Sequence, residues 1–321
     1  MRTHSQRQRG SMQAAVLTGL AIGVAVIVGT LMLTGGNEPG TDGYPDAATE
    51  EYGRRLLRDT SLYIGPNHDD PAMRYSGTNM ACASCHLEIG TKPGTLSLLP
   101  SAPKYPRDSG RDGGIRDLRD RINGCMQRSM NGKPLPRDSI EMMAMERYIL
   151  GLNDQYEAMG TSSRVSDEQA AFVEPNRRAD PQAGRIVYEN RCQVCHGVDG
   201  LGLLATANPA NGYLFPPLWG PDSYNNGAGM NRVLTAARFI KARMPLGQAD
   251  LTDDETFDVS AYINSKPRPV KANLEVDFPD RTRKHVDSPY PPYADDFPHE
   301  QHKYGPFQPI RDYYENLKGG E

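Results

Sequence analysis

The spacing of apolar residues predicts two similar successions of helices along the chain. Leu118, Ile122 and Cys125 recur at steps of four and three residues, which is the period of one face of an amphipathic helix. Further helices are predicted at 47–59, 139–152, 184–188, 230–243 and 253–264. Because the order of helices and loops repeats, we expect an all-α fold built from two small helical domains.

The two predicted domains are bounded by segments rich in Gly, Pro and polar residues, which are typical of loops and linkers. The segment after the second domain is dense in Pro, Tyr and Asp and lacks periodicity, so we expect an extended arm there. The predicted divisions are an N-terminal segment with its linker, a first domain, a second domain and the C-terminal arm, at 1–46, 47–155, 156–265 and 266–321.

An uncharged run from Ala14 to Leu33 follows three arginines near the amino terminus. About 20 apolar residues suffice for a helix to cross a bilayer, and signal-peptide cores are shorter and end in small-residue cleavage sites. The positive flank is expected to stay in the cytoplasm. We therefore expect a transmembrane helix at 14–33 that anchors the protein on the periplasmic side of the membrane. A cleaved signal, which would leave a soluble periplasmic protein, is the alternative.

Composition and charge narrow the class of protein. The chain has 321 residues, a formal net charge of −4 and no basic tail, so nothing in it favours nucleic acid as a partner. Only 37% of the residues are hydrophobic, and small domains with few apolar side chains have weak cores. A bound apolar group in each domain would supply the missing buried surface.

Two pentapeptides, at 82–86 and 192–196, read Cys-x-x-Cys-His. This spacing attaches a c-type haem, because the two thiols form thioethers to the porphyrin and the adjacent imidazole ligates its iron. A Cys-x-x-Cys pair alone would also suit a redox dithiol or half of a zinc site, but the abutting His and the repetition favour haem. We expect two covalent haem c groups in two tandem cytochrome c-type domains, held by Cys82, Cys85, His86, Cys192, Cys195 and His196.

The ligand opposite each histidine sets the chemistry of each iron. For the second haem the favoured candidate is Met244, which precedes Pro245, because a Met in such a loop has little reason to fill a core. Met230 is the competing candidate, although its place on an apolar helix face suits core packing.

The fifth cysteine, Cys125, has no partner for a disulfide once four are assigned to haem. Arg121 and Ser129 lie four residues before and after it, so all three share one helix face. A cation beside a thiol stabilises its thiolate form. The alternatives are a buried, inert Cys125 and an Arg121 that pairs with Asp117 or Asp120 instead. If the thiolate ligates iron, the first haem is the catalytic centre and the second is the electron exit.

Several segments resemble the diheme thiosulfate dehydrogenase family. The stretch 121–135 around Cys125 and the first haem motif within 81–87 are similar to it, and so are 227–247 and 291–306. Members of that family couple two thiosulfates into tetrathionate, and some act mainly as tetrathionate reductases.

The resemblance implies a Cys ligand at the active-site haem, which matches Cys125, and a substrate pocket lined by Arg111, Arg121 and Ser129. Guanidinium groups suit this role, because they neutralise and orient oxyanions. Where some members carry Lys before the Met of the second haem, this chain has Arg243. Arginine stays protonated and is a poor iron ligand, so we expect plain His196/Met244 ligation without a ligand switch.

The expected function is oxidation of thiosulfate to tetrathionate, with electrons leaving through the second haem. The expected acceptor is a small cytochrome c or a high-potential iron–sulfur protein. Two other readings remain: a membrane-tethered electron carrier without its own substrate, and a subunit that conjugates thiosulfate to a carrier protein.

Overall fold

The computed structural model describes residues 43–159 and 172–319. In the first half of the chain the helices are α1 (Glu50–Arg58), α2 (Thr60–Ile64), α3 (Leu118–Arg128) and α4 (Ile140–Ala158). In the second half they are α5 (Pro181–Arg191), α6 (Gln193–His196), α7 (Val233–Arg243) and α8 (Asp253–Ser265). The C-terminal segment contributes α9 (His299–Tyr304) and α10 (Gln308–Gly319).

The predicted helices form because their ends are capped by the sequence. The Asp117 carboxylate accepts the backbone N–H of Asp120 at the start of α3, and the Asp120 side chain returns the bond, which is a capping box. Ser139 caps α4 by accepting from the backbone N–H of Met142. Each cap satisfies N–H groups that lack a partner within the helix.

Each half of the chain packs its first helix against its last at a glycine. Helix α1 packs on α4, and α5 packs on α8. A Cβ at Gly53 would lie 2.0 Å from the carbonyl oxygen of Ala144, and one at Gly184 would lie 1.9 Å from that of Asp258. Only glycine permits two backbones to lie this close. Because both halves pack their first helix on their last at a glycine, the order of elements is confirmed to repeat in the two halves.

The all-α prediction missed two short antiparallel ribbons. Strand β1 (Arg107–Ser109) pairs with β2 (Gly114–Arg116), and β3 (Leu203–Leu204) pairs with β4 (Tyr213–Phe215). Both lie outside the helices that the sequence predicts. Two or three paired residues are too few for an alternating pattern to be legible.

The C-terminal segment is extended only in its first part. It ends in α9 and α10. Phe307, directly before α10, and Ile310 and Tyr314 within α10 join one buried cluster with Phe257 and Val233 of the second half. The spacing of three and four residues places these three side chains on one helix face. The expectation of an extended arm over the whole of 266–321 is therefore wrong for its last third, because this amphipathic helix buries an apolar face.

The predicted fold class included a membrane-spanning helix, and this prediction is corrected. Within 43–159 and 172–319, no helix is both long and apolar enough to cross a bilayer. The run at 14–33, to which the prediction referred, lies outside the described residues. The fold is two helical domains and a C-terminal segment, and the described residues from 48 onwards belong to one compact unit.

Replacing either packing glycine by alanine should destabilise the protein. The new methyl group in Gly53→Ala or Gly184→Ala meets a backbone carbonyl, which no side-chain rotation relieves, and overpacking of this kind costs about 1–3 kcal/mol. The free energy of unfolding from chemical denaturation of the haem-loaded protein measures the loss. Gly114→Ala is the matched control, because no atom lies within 4 Å of a Cβ built there. Equal stability of all three variants would contradict the packing argument.

Candidate functional site

Hydrogen bonds to the helix before it and to a residue after it hold the first haem motif. The Thr60 hydroxyl of α2 accepts the backbone N–H of Cys82 at 3.0 Å. Nδ1 of His86 lies 2.7 Å from the carbonyl oxygen of Leu96. A carbonyl only accepts, so Nδ1 carries the proton and Nε2 presents its lone pair, as a metal-ligating imidazole requires.

The second motif repeats this arrangement. Nδ1 of His196 lies 2.8 Å from the carbonyl oxygen of Pro216, so Nε2 is again the free ligand. The Tyr188 hydroxyl donates to the carbonyl of Gly197 at 2.6 Å and fixes the turn after the motif. Two thiols and a correctly protonated imidazole at each motif fit covalent haem.

A cavity of about 500 Å³ joins the first motif to the Cys125 helix. This volume lies within the range of about 300–1,000 Å³ that is usual for ligand and cofactor sites. Cys82, Cys85 and His86 line one part of its wall, and Cys125 lies in the same wall together with Met126 and Met130. Cys82, Cys85, His86 and Cys125 would thus be placed to hold a haem in this cavity.

Helix α3 directs three predicted residues into this cavity. Arg121, Cys125 and Ser129 are spaced four apart, and all three line the cavity. Nη1 of Arg121 donates to Sγ of Cys125 at 3.0 Å. The alternative pairing of Arg121 with acids of its own helix is wrong, because Arg137 binds Asp117 and, at 2.5 Å, Asp120.

The charge state of Cys125 differs from that of the haem-motif thiols. Burial raises the pKa of Cys82 to about 11 and that of Cys85 to about 12. Burial also acts to raise the pKa of Cys125, but the Arg121 guanidinium outweighs it, together with His86 and the charge of Arg116, and the pKa falls to about 7. Of the three thiols in the cavity, only Cys125 is therefore stabilised as a thiolate.

Arg111 does not share this cavity. Its Nη1 donates to the Asp277 carboxylate at 2.9 Å and to the Tyr290 hydroxyl at 3.0 Å. Asp277 is 5% exposed and also binds Arg128 at 2.8 Å. The structure thus brings Cys125, Arg121 and Ser129 together, whereas Arg111 is tied to the C-terminal segment.

Sequence reasoning missed the cavity wall that comes from the second half of the chain. The cavity that Cys125 lines is also lined by Met230, which precedes α7, by Arg232 at the N-cap of α7, and by Thr235 and Arg238 within it. The sequence signal for this part of the wall is that polar residues recur at intervals of three along a helix whose other positions are mostly buried and apolar. Lys104 and Arg107 add two more cations, and among the described residues that line the cavity none is acidic.

The two candidate methionines lie in different places. Met230 lines the cavity of the first haem motif, whereas Met244 packs against the cluster of Tyr188, Trp219 and Ile240 that also contacts Cys192. Lys241 is bound elsewhere, since its Nζ donates to the carbonyl of Leu251 at 2.7 Å. Arg243 donates to the carbonyl of Pro93 in the first half.

The fold and the paired motifs define a c-type cytochrome with two haems. Residues 74–154 match the family model for the SoxA/TsdA cytochrome c domain. Residues 179–263 match the model for cytochrome c oxidase, cbb3-type, subunit III. Both models describe haem-binding domains, in agreement with the geometry of the two motifs.

The chain belongs to the thiosulfate dehydrogenase family. It is 36% identical over 241 residues to the thiosulfate dehydrogenase of Psychrobacter arcticus, an alignment that covers 73% of this chain and 71% of the relative. It is 37% identical over 235 residues to that of Allochromatium vinosum, covering 70% and 82%. A solved structure of thiosulfate dehydrogenase (TsdBA) from Marichromatium purpuratum in its as-isolated form matches with a TM-score of 0.61 and 32% identity. That match covers 74% of this chain and 49% of the other, longer chain.

Proposed function

We propose that this protein oxidises two thiosulfates to tetrathionate at a haem ligated by His86 and Cys125. Electrons then leave through a second haem, ligated by His196 and Met244, to an external acceptor. Membership of the thiosulfate dehydrogenase family supports the reaction. The observation that carries the site assignment is the single cavity in which the first haem motif, the Cys125 thiolate and an all-cationic set of charged side chains meet.

The electrostatics of the cavity suit the substrate. Thiosulfate is a dianion, and two of them must come together before an S–S bond forms. Guanidinium groups neutralise and orient such oxyanions through paired N–H donors, and their effect is larger where water is excluded. Arg121 contributes one such group next to the reactive sulfur, with the Ser129 hydroxyl one helical turn beyond Cys125.

The Cys125 thiolate supplies a route for the reaction in two steps. Its Sγ and the outer sulfur of one thiosulfate form an S–S bond, which gives Cys125–S–S–SO₃⁻ and releases two electrons in total. The outer sulfur of the second thiosulfate then attacks the bonded outer sulfur. Tetrathionate forms, and the Cys125 thiolate departs as the leaving group. Haem, when bound, supplies the acceptor for the electrons; the same steps in reverse reduce tetrathionate.

The second half of the chain supports electron exit. Met244 offers a thioether beside the second motif, and thioether ligation raises a haem potential. Because Lys241 and Arg243 are engaged with Leu251 and Pro93, we propose ligation by Met244 alone, without a switch. The acceptor we propose is a small cytochrome c or a high-potential iron–sulfur protein. A periplasmic location is supported by the two cytochrome c domains.

Cys125→Gly should abolish the reaction while both haems remain attached. Loss of a nucleophile of this kind lowers kcat by at least about a thousandfold. Tetrathionate formed from thiosulfate and an added oxidant is the measurement, with haem content per chain as the control for folding. Unchanged turnover would instead favour the electron-carrier reading, in which Cys125 has no role.

Arg121→Ala should lower kcat/KM for thiosulfate by about a hundredfold, because removal of one charged donor from an active site has an effect of that order. Steady-state kinetics measure it. Arg137→Ala is the matched control, since Arg137 is 51% exposed and binds Asp117 and Asp120 at the start of α3. Equal kcat/KM values for the two variants would contradict a role for Arg121 in binding thiosulfate.

Met244→Ala should remove the near-infrared absorption band that marks thioether ligation of ferric haem and lower the potential of the second haem. Met230→Leu should keep the band, since Met230 lines the cavity of the first haem motif. The opposite pattern would assign Met230 as the ligand.

A further inference from the structure

Helix α7 belongs to the second half of the chain, yet one of its faces forms part of the wall of the first-haem cavity. Arg232, at its N-cap, Thr235 and Arg238 follow at intervals of three residues and line that cavity. The remaining positions between them, Val233, Leu234, Ala236 and Ala237, are buried. The stripe is therefore the only face of this stretch of α7 that meets the cavity, and it carries two guanidinium groups.

The two arginines of the stripe differ in whether a neighbouring carboxylate offsets their positive charge. Nη1 of Arg232 lies 3.2 Å from the Asp287 carboxylate, which is 3% exposed and also accepts the backbone N–H of Leu234 at 3.1 Å. Asp287 thus offsets the charge of Arg232 and holds it at the start of α7. Arg238 is half-buried, and within 43–159 and 172–319 no carboxylate forms an ion pair with it. Arg238 therefore brings into the cavity a positive charge that no carboxylate in these two described ranges offsets.

The charge of the substrates requires more than Arg121. Two thiosulfates bring four negative charges, and the Arg121 guanidinium already donates to the Cys125 sulfur at 3.0 Å. Like charges that meet in a site of low dielectric repel strongly unless cations lie between them. A second cationic anchor on another wall of the cavity would hold the second dianion near the first.

We propose that Arg238 of α7 is this anchor and binds a sulfonate group of thiosulfate or tetrathionate, with Thr235 beside it as a hydroxyl donor. The inference rests on the proposed function and deepens it. The second domain would then complete the substrate site of the first haem, besides carrying electrons away from it. Arg232, held by Asp287, adds positive potential to the same wall.

The experiment compares Arg238→Gln, Arg238→Lys and the wild-type protein with both haems attached. Arg238→Gln should raise KM for thiosulfate at least tenfold and change kcat less. Arg238→Lys, which keeps the charge but loses the paired donors, should recover part of the loss. The potential of the first haem and the haem content should match wild type. Arg185→Gln removes an exposed arginine that binds Glu189 on α5 and should leave KM unchanged.

Two outcomes would overturn the proposal. An unchanged KM in Arg238→Gln would show that this side chain does not bind substrate. Haem loss or a shifted first-haem potential with an unchanged KM would assign Arg238 to the haem carboxylates instead. Failure of the proposed function is distinguishable, because the wild-type protein itself would then form no tetrathionate from thiosulfate.

Discussion

The contact between the Arg121 guanidinium and the Cys125 sulfur governs the chemistry available to this protein. Three thiols line one cavity, and burial raises the pKa of two of them. Burial acts in the same direction on the third, but that thiol lies 3.0 Å from a guanidinium nitrogen and near the His86 imidazole, and its pKa falls to about 7. In the proposed reaction, a thiolate at that point serves both as an iron ligand and as a nucleophile towards sulfur. Without this contact, Cys125 would lose the largest influence that lowers its pKa.

The rest of the fold places that contact in a cationic site. Packing of α1 on α4 and of α5 on α8 at glycines gives each half a rigid helix pair. The two halves also bond to each other, since the Asn225 side chain donates to the carbonyl of Gln127 at 2.9 Å and to the Asn131 side chain at 3.0 Å. Helix α7 is thereby held against the cavity of the first haem. The site is therefore a property of both domains.

The C-terminal segment stabilises this arrangement from outside the cavity. Its Asp277 binds Arg111 and Arg128 of the first half, and its Asp287 binds the start of α7. Its last helix is buried in the core of the second half. The segment therefore contacts both halves, and its buried carboxylates offset cations that would otherwise repel each other. Arg111, which family resemblance assigned to the substrate pocket, is one of these cations.

Local sequence determined the haem motifs, the main helices and the alignment of Arg121, Cys125 and Ser129. Each of these depends on covalent spacing or on helical period, which act between residues close in the chain. Only the tertiary structure decided that Arg238 reaches the Cys125 cavity and that Arg111 binds Asp277 instead. Those contacts join residues more than a hundred positions apart, and which charges meet depends on how separate elements pack. No periodicity within one segment encodes that choice, because it is made by the packing of separate helices.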